Sequence, residues 1–367
     1  MNQNFENKTI NYNLKKYPWN EWVLEEVQKK WPHVIDLSLI HAALKEHEIF
    51  ELTITIQNLF ATEEKWMQRL STFAKEIVPE LVDNKPFLIK RQPTLNLVVP
   101  NQEKIARRLP FHQGIFYDNG RGQGTIWMPL TSAFDTNSMW VIDTKESKEI
   151  TKNVIKNGWN LEKFENECLK VAYPVNLEPG QAHLFNQEII HGNVNNETNL
   201  TRLSFDWHVL PKGEEFYRRL PGGFFRHPDD HSMLRKRDYS NQRYITYLSN
   251  NHNLSKFWPK NFQRAIINNY IKEIGIKNNG TQYENEFLDN LPVLDHYLDQ
   301  DINGMVFCSI YQLPDDSSYF LNKALNNKVI LHFANEGLIL ENESDLDYIK
   351  MYRSWGVEKK GPFSWEE

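Results

Sequence analysis

The chain has 367 residues, 40% hydrophobic and 25% charged, which suits two domains with sizeable cores and excludes wholesale disorder. Its 42 Lys and Arg against 48 Asp and Glu leave a net charge of −6, which excludes a mainly electrostatic nucleic-acid binder. Only two cysteines occur, Cys168 and Cys308, too few for a disulfide scaffold or a cysteine-based zinc site, and no segment has the apolar length of a signal peptide or membrane span, so a cytoplasmic protein is expected.

In chain order, the first hundred residues read as mostly helical, with helical spacing over 37–43 and 50–60. The strongest periodicity lies over 62–78, where Trp66, Leu70, Phe73 and Ile77 fall three or four apart and Pro79 is expected to end the helix. Residues 93–100, bounded by prolines and alternating in polarity, predict a strand. From 111 to 211 short β-rich pieces at 124–130, 138–142, 181–185 and 200–210 predict a barrel or sandwich. Between them 147–158 reads as a polar loop and 161–170 as a short helix. Gly, Pro, Arg and Asp mark a linker over 216–242. Beyond it, apolar strands at 244–248, 304–310 and 328–333 alternate with helical stretches at 259–274, 315–325 and 344–352. That rhythm predicts a small α/β domain over 243–367 with a mainly parallel sheet.

Of twelve histidines, two stand out with an arginine: His112 in PFHQG, His191 in IIHGN and Arg202 in LTRLSFD. Neutral imidazoles suit Fe(II), and two of them leave coordination positions open for substrate and dioxygen. The planar fork of an arginine takes a carboxylate bidentately, which would orient a 2-oxo acid chelating the metal at its other end. Ser204 lies two residues further along the same predicted strand and so faces the same way. Tyr117 and Arg121, in the loop YDNGRGQG, are candidate contacts to an anionic or polyol substrate, and His183 and His208 read as supporting residues. Asp206 aligns with the barrel interior without an assigned role.

The ordered set His112, Gly124-Thr-Ile-Trp-Met-Pro-Leu130, Asn137-Ser-Met-Trp-Val141, Gly180-Gln-Ala-His-Leu-Phe185, His191-Gly-Asn193 and Thr201-Arg-Leu-Ser204 resembles the phytanoyl-CoA-dioxygenase-like Fe(II)/2-oxoglutarate oxygenases. Within them it is most similar to those of sporadic bacterial carbohydrate clusters. The resemblance spans roughly residues 85–215. It implies an α+β N-terminal part around a double-stranded β-helix (a jelly roll of the cupin kind), over 1–215. It also implies Fe(II) on His112 and His191, and 2-oxoglutarate on Arg202 and Ser204. The implied reaction is oxidation, by hydroxylation, of a sugar or nucleotide-sugar in carbohydrate biosynthesis, with a homodimer as a possible assembly. The family's His-x-Asp or His-x-Glu pattern is broken at Gly114. Four explanations stand open: chloride in the vacated place, as in iron halogenases; a ligand from elsewhere, Asp118 or water; a weak-metal or non-catalytic sugar-binding site; or hydroxylation at a two-histidine centre. Residues 243–354 resemble a small α/β family encoded in the same clusters, and Ser309, Gln312, His332, Asn335 and Glu336 form its candidate second site.

Overall fold

The computed structural model describes residues 5, 7–101, 110–117, 119–158, 160–217, 219–230, 239, 242–249, 258–284, 291–314, 316–355 and 357–358. The chain divides into two compact units, Met1–Arg219 with Val357–Glu367, and Leu220–Gly356.

The first unit opens with strand β1 (Lys8–Asn11) and helices α1 (Trp19–Lys30), α2 (Ile40–Ala43), α3 (Glu46–Thr62) and α4 (Glu64–Leu81). There follow β2 (Phe87–Lys90), β3 (Thr94–Val98), β4 (Gly124–Pro129), β5 (Trp140–Val141), α5 (Thr144–Lys156) and α6 (Leu161–Leu169). The unit continues with β6 (Tyr173–Pro174), β7 (Gln181–Asn186), β8 (His191–Gly192), β9 (Arg202–Pro211) and β10 (Glu215–Phe216). The larger sheet runs β1-β7-β4-β9-β2, with β3 also on β9, and all these pairings are antiparallel. A smaller antiparallel sheet runs β6-β5-β8.

The helices cover one face of the larger sheet. Trp19, Phe60, Trp66 and Phe73 pack with Ile126, Met128, Leu184, Phe205 and Trp207 in one buried cluster, and each large apolar side chain so buried contributes about 1.5–3 kcal/mol. Helix α4 runs two residues past Pro79 because Val78 and Leu81 still belong to its buried stripe. Only one backbone bond is forfeited in a last turn, where carbonyl partners are lacking anyway. The polar stretch 147–158 forms most of α5 instead of a loop. Its buried stripe is Ser147, Thr151 and Val154, two hydroxyls for one apolar group, so no hydrophobic period announces it. The hydroxyls are satisfied locally: Ser147 donates to the Ile142 carbonyl at 3.0 Å and Thr151 to the Ser147 carbonyl at 2.8 Å.

The second unit contains β11 (Phe225–Arg226), β12 (Tyr244–Ser249), α7 (Lys260–Ile274), β13 (Asn278–Glu284), α8 (Pro292–Leu298), β14 (Gly304–Phe307), α9 (Ser318–Asn326), β15 (Ile330–Phe333), β16 (Leu338–Leu340) and α10 (Glu343–Arg353). Its sheet has the order β13-β12-β14-β15-β16, parallel except for β16. Residues 220–230, read from sequence as linker, lie in this unit, with Arg226 and Asp230 buried. Strand β17 (Val357–Glu358) returns to the first unit and pairs in parallel with β10.

Candidate active site

Strand β9 sorts its side chains by parity. Leu203, Phe205, Trp207 and Val209 enter the helix-covered core, so Arg202, Ser204, Asp206 and His208 line the opposite face. The same alternation places Thr125 and Trp127 of β4, and His183 and Phe185 of β7, on that face. Trp127 lies opposite Asp206, and Phe185 opposite Thr125.

His112 and His191 meet through a two-residue backbone bridge, each N–H donating to the other's carbonyl at 2.9 Å. Their ring centroids are 4.2 Å apart. Each imidazole is oriented in the same way: Nδ1 lies 2.9 Å from the Pro110 carbonyl in His112, and 3.0 Å from the Ile189 carbonyl in His191. A carbonyl only accepts, so the proton sits on Nδ1 and the Nε2 lone pair is left over, the tautomer a metal ligand requires. Burial, assisted at His191 by the neighbouring His112, lowers both pKa values, His191 to about 3, so both rings are neutral near pH 7. Tyr117 meets the His112 ring edge-on at 5.0 Å and Phe185 flanks His191 at 4.6 Å.

Arg202 is buried at 1% exposure, and its guanidinium is held entirely by neutral groups. Nε donates to the Asn137 carbonyl at 3.1 Å, Nη1 to Ser204 Oγ at 2.6 Å and Nη2 to Asn193 Oδ1 at 2.7 Å. Ser204 Oγ also accepts from Trp127 Nε1 at 2.9 Å, and the guanidinium stands 5.4 Å from the Trp127 ring. Among the described residues no carboxylate neutralises Arg202, and burial lowers its pKa to about 9. A buried cation without a counter-charge is expensive, and an anionic ligand recovers that cost.

Asp206 is the site residue the sequence reading left without a role, and it pairs with His208, read there as a supporting residue. His208 Nε2 lies 3.3 Å from Asp206 Oδ1, and Lys90 Nζ lies 3.9 Å from the same oxygen. Burial opposes ionisation of Asp206, but the His208 hydrogen bond and the charges of His208, Lys90 and His191 outweigh it and hold the carboxyl well below its usual range. The parity of RLSFDWHV carries the signal that would have found this pair.

Position 114 is occupied by more than an absence. A Cβ there would stand 1.8 Å from Gln187 Oε1, so the Gln187 amide fills the space a side chain would need. Gln187 Oε1 accepts from Asn119 Nδ2 at 3.0 Å, and its Nε2 donates to Thr125 Oγ1 at 2.7 Å. Asp118 lies outside the described residues. Among those described, no trio of His, Cys, Asp or Glu is placed to hold a metal ion.

Arg121 is engaged with Glu188 at 3.2 Å, which also meets Lys148 at 3.3 Å. His183 is tied to Asn7 Oδ1 at 2.6 Å and Thr9 Oγ1 at 3.3 Å. In the second unit Ser309 Oγ and Asn335 Nδ2 donate to Glu336 Oε1 at 2.6 and 2.9 Å, and the Ile310 N–H donates to Oε2 at 3.1 Å. Gln312 instead donates to Gln263 Oε1 at 3.0 Å, and His332 sits against Tyr270, Tyr239 and Tyr244. The Ser309 N–H also donates to Gln312 Oε1 at 3.2 Å, so Ser309, Gln312, Asn335 and Glu336 form one hydrogen-bonded network and His332 lies among the tyrosines. A groove of about 780 Å³ lined by Asn153, Lys163 and Lys170, between α5 and α6, includes none of the site residues.

No family model and no curated protein matches the chain. Solved structures with a similar chain trace include the non-heme monooxygenase ThoJ in complex with nickel, at 13% identity over 57% of this chain and 76% of that one, TM-score 0.36. Two more are the non-heme alpha ketoglutarate dependent epimerase SnoN from nogalamycin biosynthesis (12%, 64% and 86%, TM-score 0.34) and EctD from S. alaskensis with 2-oxoglutarate and 5-hydroxyectoine (12%, 58% and 74%, TM-score 0.39).

Proposed function

We propose that the first unit is an Fe(II)- and 2-oxoglutarate-dependent oxygenase built on a double-stranded β-helix, which hydroxylates a sugar or nucleotide-sugar. The observation that carries this reading is the pair of neutral imidazoles, His112 and His191, each with Nδ1 tied to a carbonyl and Nε2 left for a metal.

The two imidazole donors fit a divalent transition metal, while Gly114 supplies nothing to a third position. His112 and His191 would hold Fe(II), and Arg202 would take the distal carboxylate of 2-oxoglutarate, with Ser204 fixing the guanidinium and offering its own O–H. When bound, the iron and 2-oxoglutarate supply the oxidising power for attack on an unactivated C–H bond in the presence of dioxygen. The rest is the work of this chain's residues. The Asn137 carbonyl, Ser204 and Asn193 hold the arginine fork in one orientation, so a carboxylate docks without reorganising it. Phe185 and Trp127 present apolar faces that exclude water from the reacting groups. The Asp206 and His208 pair keeps an ionised carboxylate on the same face as the arginine. The Gln187 amide against Gly114 weighs against chloride at that place, because the space is already filled.

Anaerobic addition of Fe(II) and then 2-oxoglutarate is expected to develop a metal-to-ligand absorption band in the visible region. His191→Ala should abolish it, and oxygenation should release succinate. No band in the wild type, with His191→Ala indistinguishable from it, sinks the assignment.

A further inference from the structure

Beside the paired histidines lies a group of primary amides whose hydrogen-bonding capacity is not used. Gln123 is fully buried, and among the described residues neither its Oε1 nor its Nε2 has a partner; Asn119, 5% exposed, lacks one at Oδ1. Buried amide atoms left unpaired cost about 1–3 kcal/mol each, so a fold that retains three of them calls for a ligand or trapped water.

Their placement is imposed by the chain. Gln123 immediately precedes β4 and stands two residues before Thr125, its N–H donating to the Gly120 carbonyl at 3.2 Å. Asn119 is joined to Thr125 through Gln187, whose side chain packs against Gly114, two residues after His112. The loop carrying both amides is pressed onto the backbone of residues 214–216. A Cβ at Gly120 would stand 2.4 Å from the Glu215 carbonyl oxygen, and one at Gly122 2.7 Å from the Glu215 nitrogen. The amides are therefore held inward by close backbone packing.

The chemistry of the surroundings selects the ligand. Arg121 and Lys148 both reach Glu188. Gln123 and Asn119 themselves leave one amide donor group and two amide acceptors, all uncharged. A hydroxyl both donates and accepts, and vicinal hydroxyls do so at the spacing of a carboxamide. We propose that Gln123 and Asn119 form a subsite for the hydroxyls of a neutral polyhydroxylated ligand, holding it beside His112. The proposal rests on the oxygenase reading only for the identity of this ligand as the substrate.

The test uses the whole metal-free chain and saturation-transfer NMR with myo-inositol and methyl glucoside, and with glucosamine as a charged comparator that Arg202 does not attract. The wild type should bind at least one neutral polyol in the millimolar range and prefer it to glucosamine. Gln123→Met, which keeps the shape and removes the amide, should weaken that binding about tenfold or more. The variant should also melt at the same or a higher temperature, because an unpaired buried polar group is gone. Absence of polyol binding at tens of millimolar, preference for glucosamine, or equal binding by Gln123→Met with a raised melting temperature (trapped water only) would each overturn the proposal. A parallel Fe(II) titration separates the two readings: polyol binding with no metal on His112 and His191 leaves the subsite standing and removes the oxygenase.

Discussion

At the scale of single residues, the buried groups that lack a complementary charge are the most exposed to test. Arg202 is fixed by three neutral acceptors, so Arg202→Met should leave Fe(II) affinity at His112 and His191 near wild type while weakening 2-oxoglutarate about a hundredfold. Calorimetric titration of each component in turn checks this. Arg202→Lys should recover little, since an ammonium cannot reproduce the fork held by Asn137, Ser204 and Asn193.

Glu336 gives a residue-scale pH dependence. Burial raises its pKa to about 7, against the lowering effect of hydrogen bonds from Asn335, Ser309 and the Ile310 N–H. The folded chain therefore keeps a proton that the unfolded chain has already released above the ordinary value of 4.5. Stability from this group is complete below that lower value, falls as pH rises towards 7, and is flat above, a loss of roughly 3 kcal/mol across the interval. Urea denaturation from pH 4.5 to 8 should show that fall as the difference between wild type and Glu336→Gln, because the buried histidines His183 and His191 act in the opposite sense below 6.5. His183 acts at the acid end. Burial lowers its pKa to about 4, so its contribution is present above 6.5 and is lost as pH falls towards 4. His183→Gln should make that limb shallower, leaving the part contributed by His191.

At the scale of elements, the site depends on β8 lying close against the segment that carries His112. Gly192 makes this possible: a Cβ there would stand 2.8 Å from the Phe111 N and Cα atoms. Gly192→Ala should push the two strands apart, separate the imidazoles and lower metal affinity, with a smaller effect on the melting temperature than on Fe(II) titration. The larger sheet is legible from sequence where one face is apolar, as in β4, β7 and β9, because alternation there follows burial directly. Helix α5 is not legible, because its buried stripe is made of hydroxyls that satisfy themselves on its own backbone and on the Ile142 carbonyl. Likewise Pro79 reads as a stop, yet burial of Val78 and Leu81 carries α4 past it.

At the scale of the whole molecule, each compact unit contains one buried thiol, Cys168 in the first and Cys308 in the second. Burial first, and a nearby carboxylate second, push both thiols up, Cys168 to about 12. Neither is reactive as a thiolate in the folded chain. A chromogenic disulfide reagent should titrate no thiol in native protein and two after denaturation. Mass mapping of the labelled peptides through a urea series should show which unit opens first. No helix among the described residues is long and apolar enough to cross a membrane.

The sequence by itself determined the apolar faces of the long strands, the strand and helix rhythm of the second unit, and the candidate trio His112, His191 and Arg202, because each leaves a local periodicity or a motif. Only the tertiary structure decided the rest. The tautomer of each histidine depends on which carbonyl its Nδ1 meets. The charge of Arg202, unneutralised among the described residues, depends on what surrounds it in space, and the Asp206 and His208 pair on which face of β9 looks inward. The glutamine that fills the place beside Gly114, and the idle amides of Gln123 and Asn119, arise from contacts between segments far apart in the chain. Both cysteines, Cys168 and Cys308, are free and buried. Hydrogen-bond satisfaction is a property of space, and it has no signature along the chain.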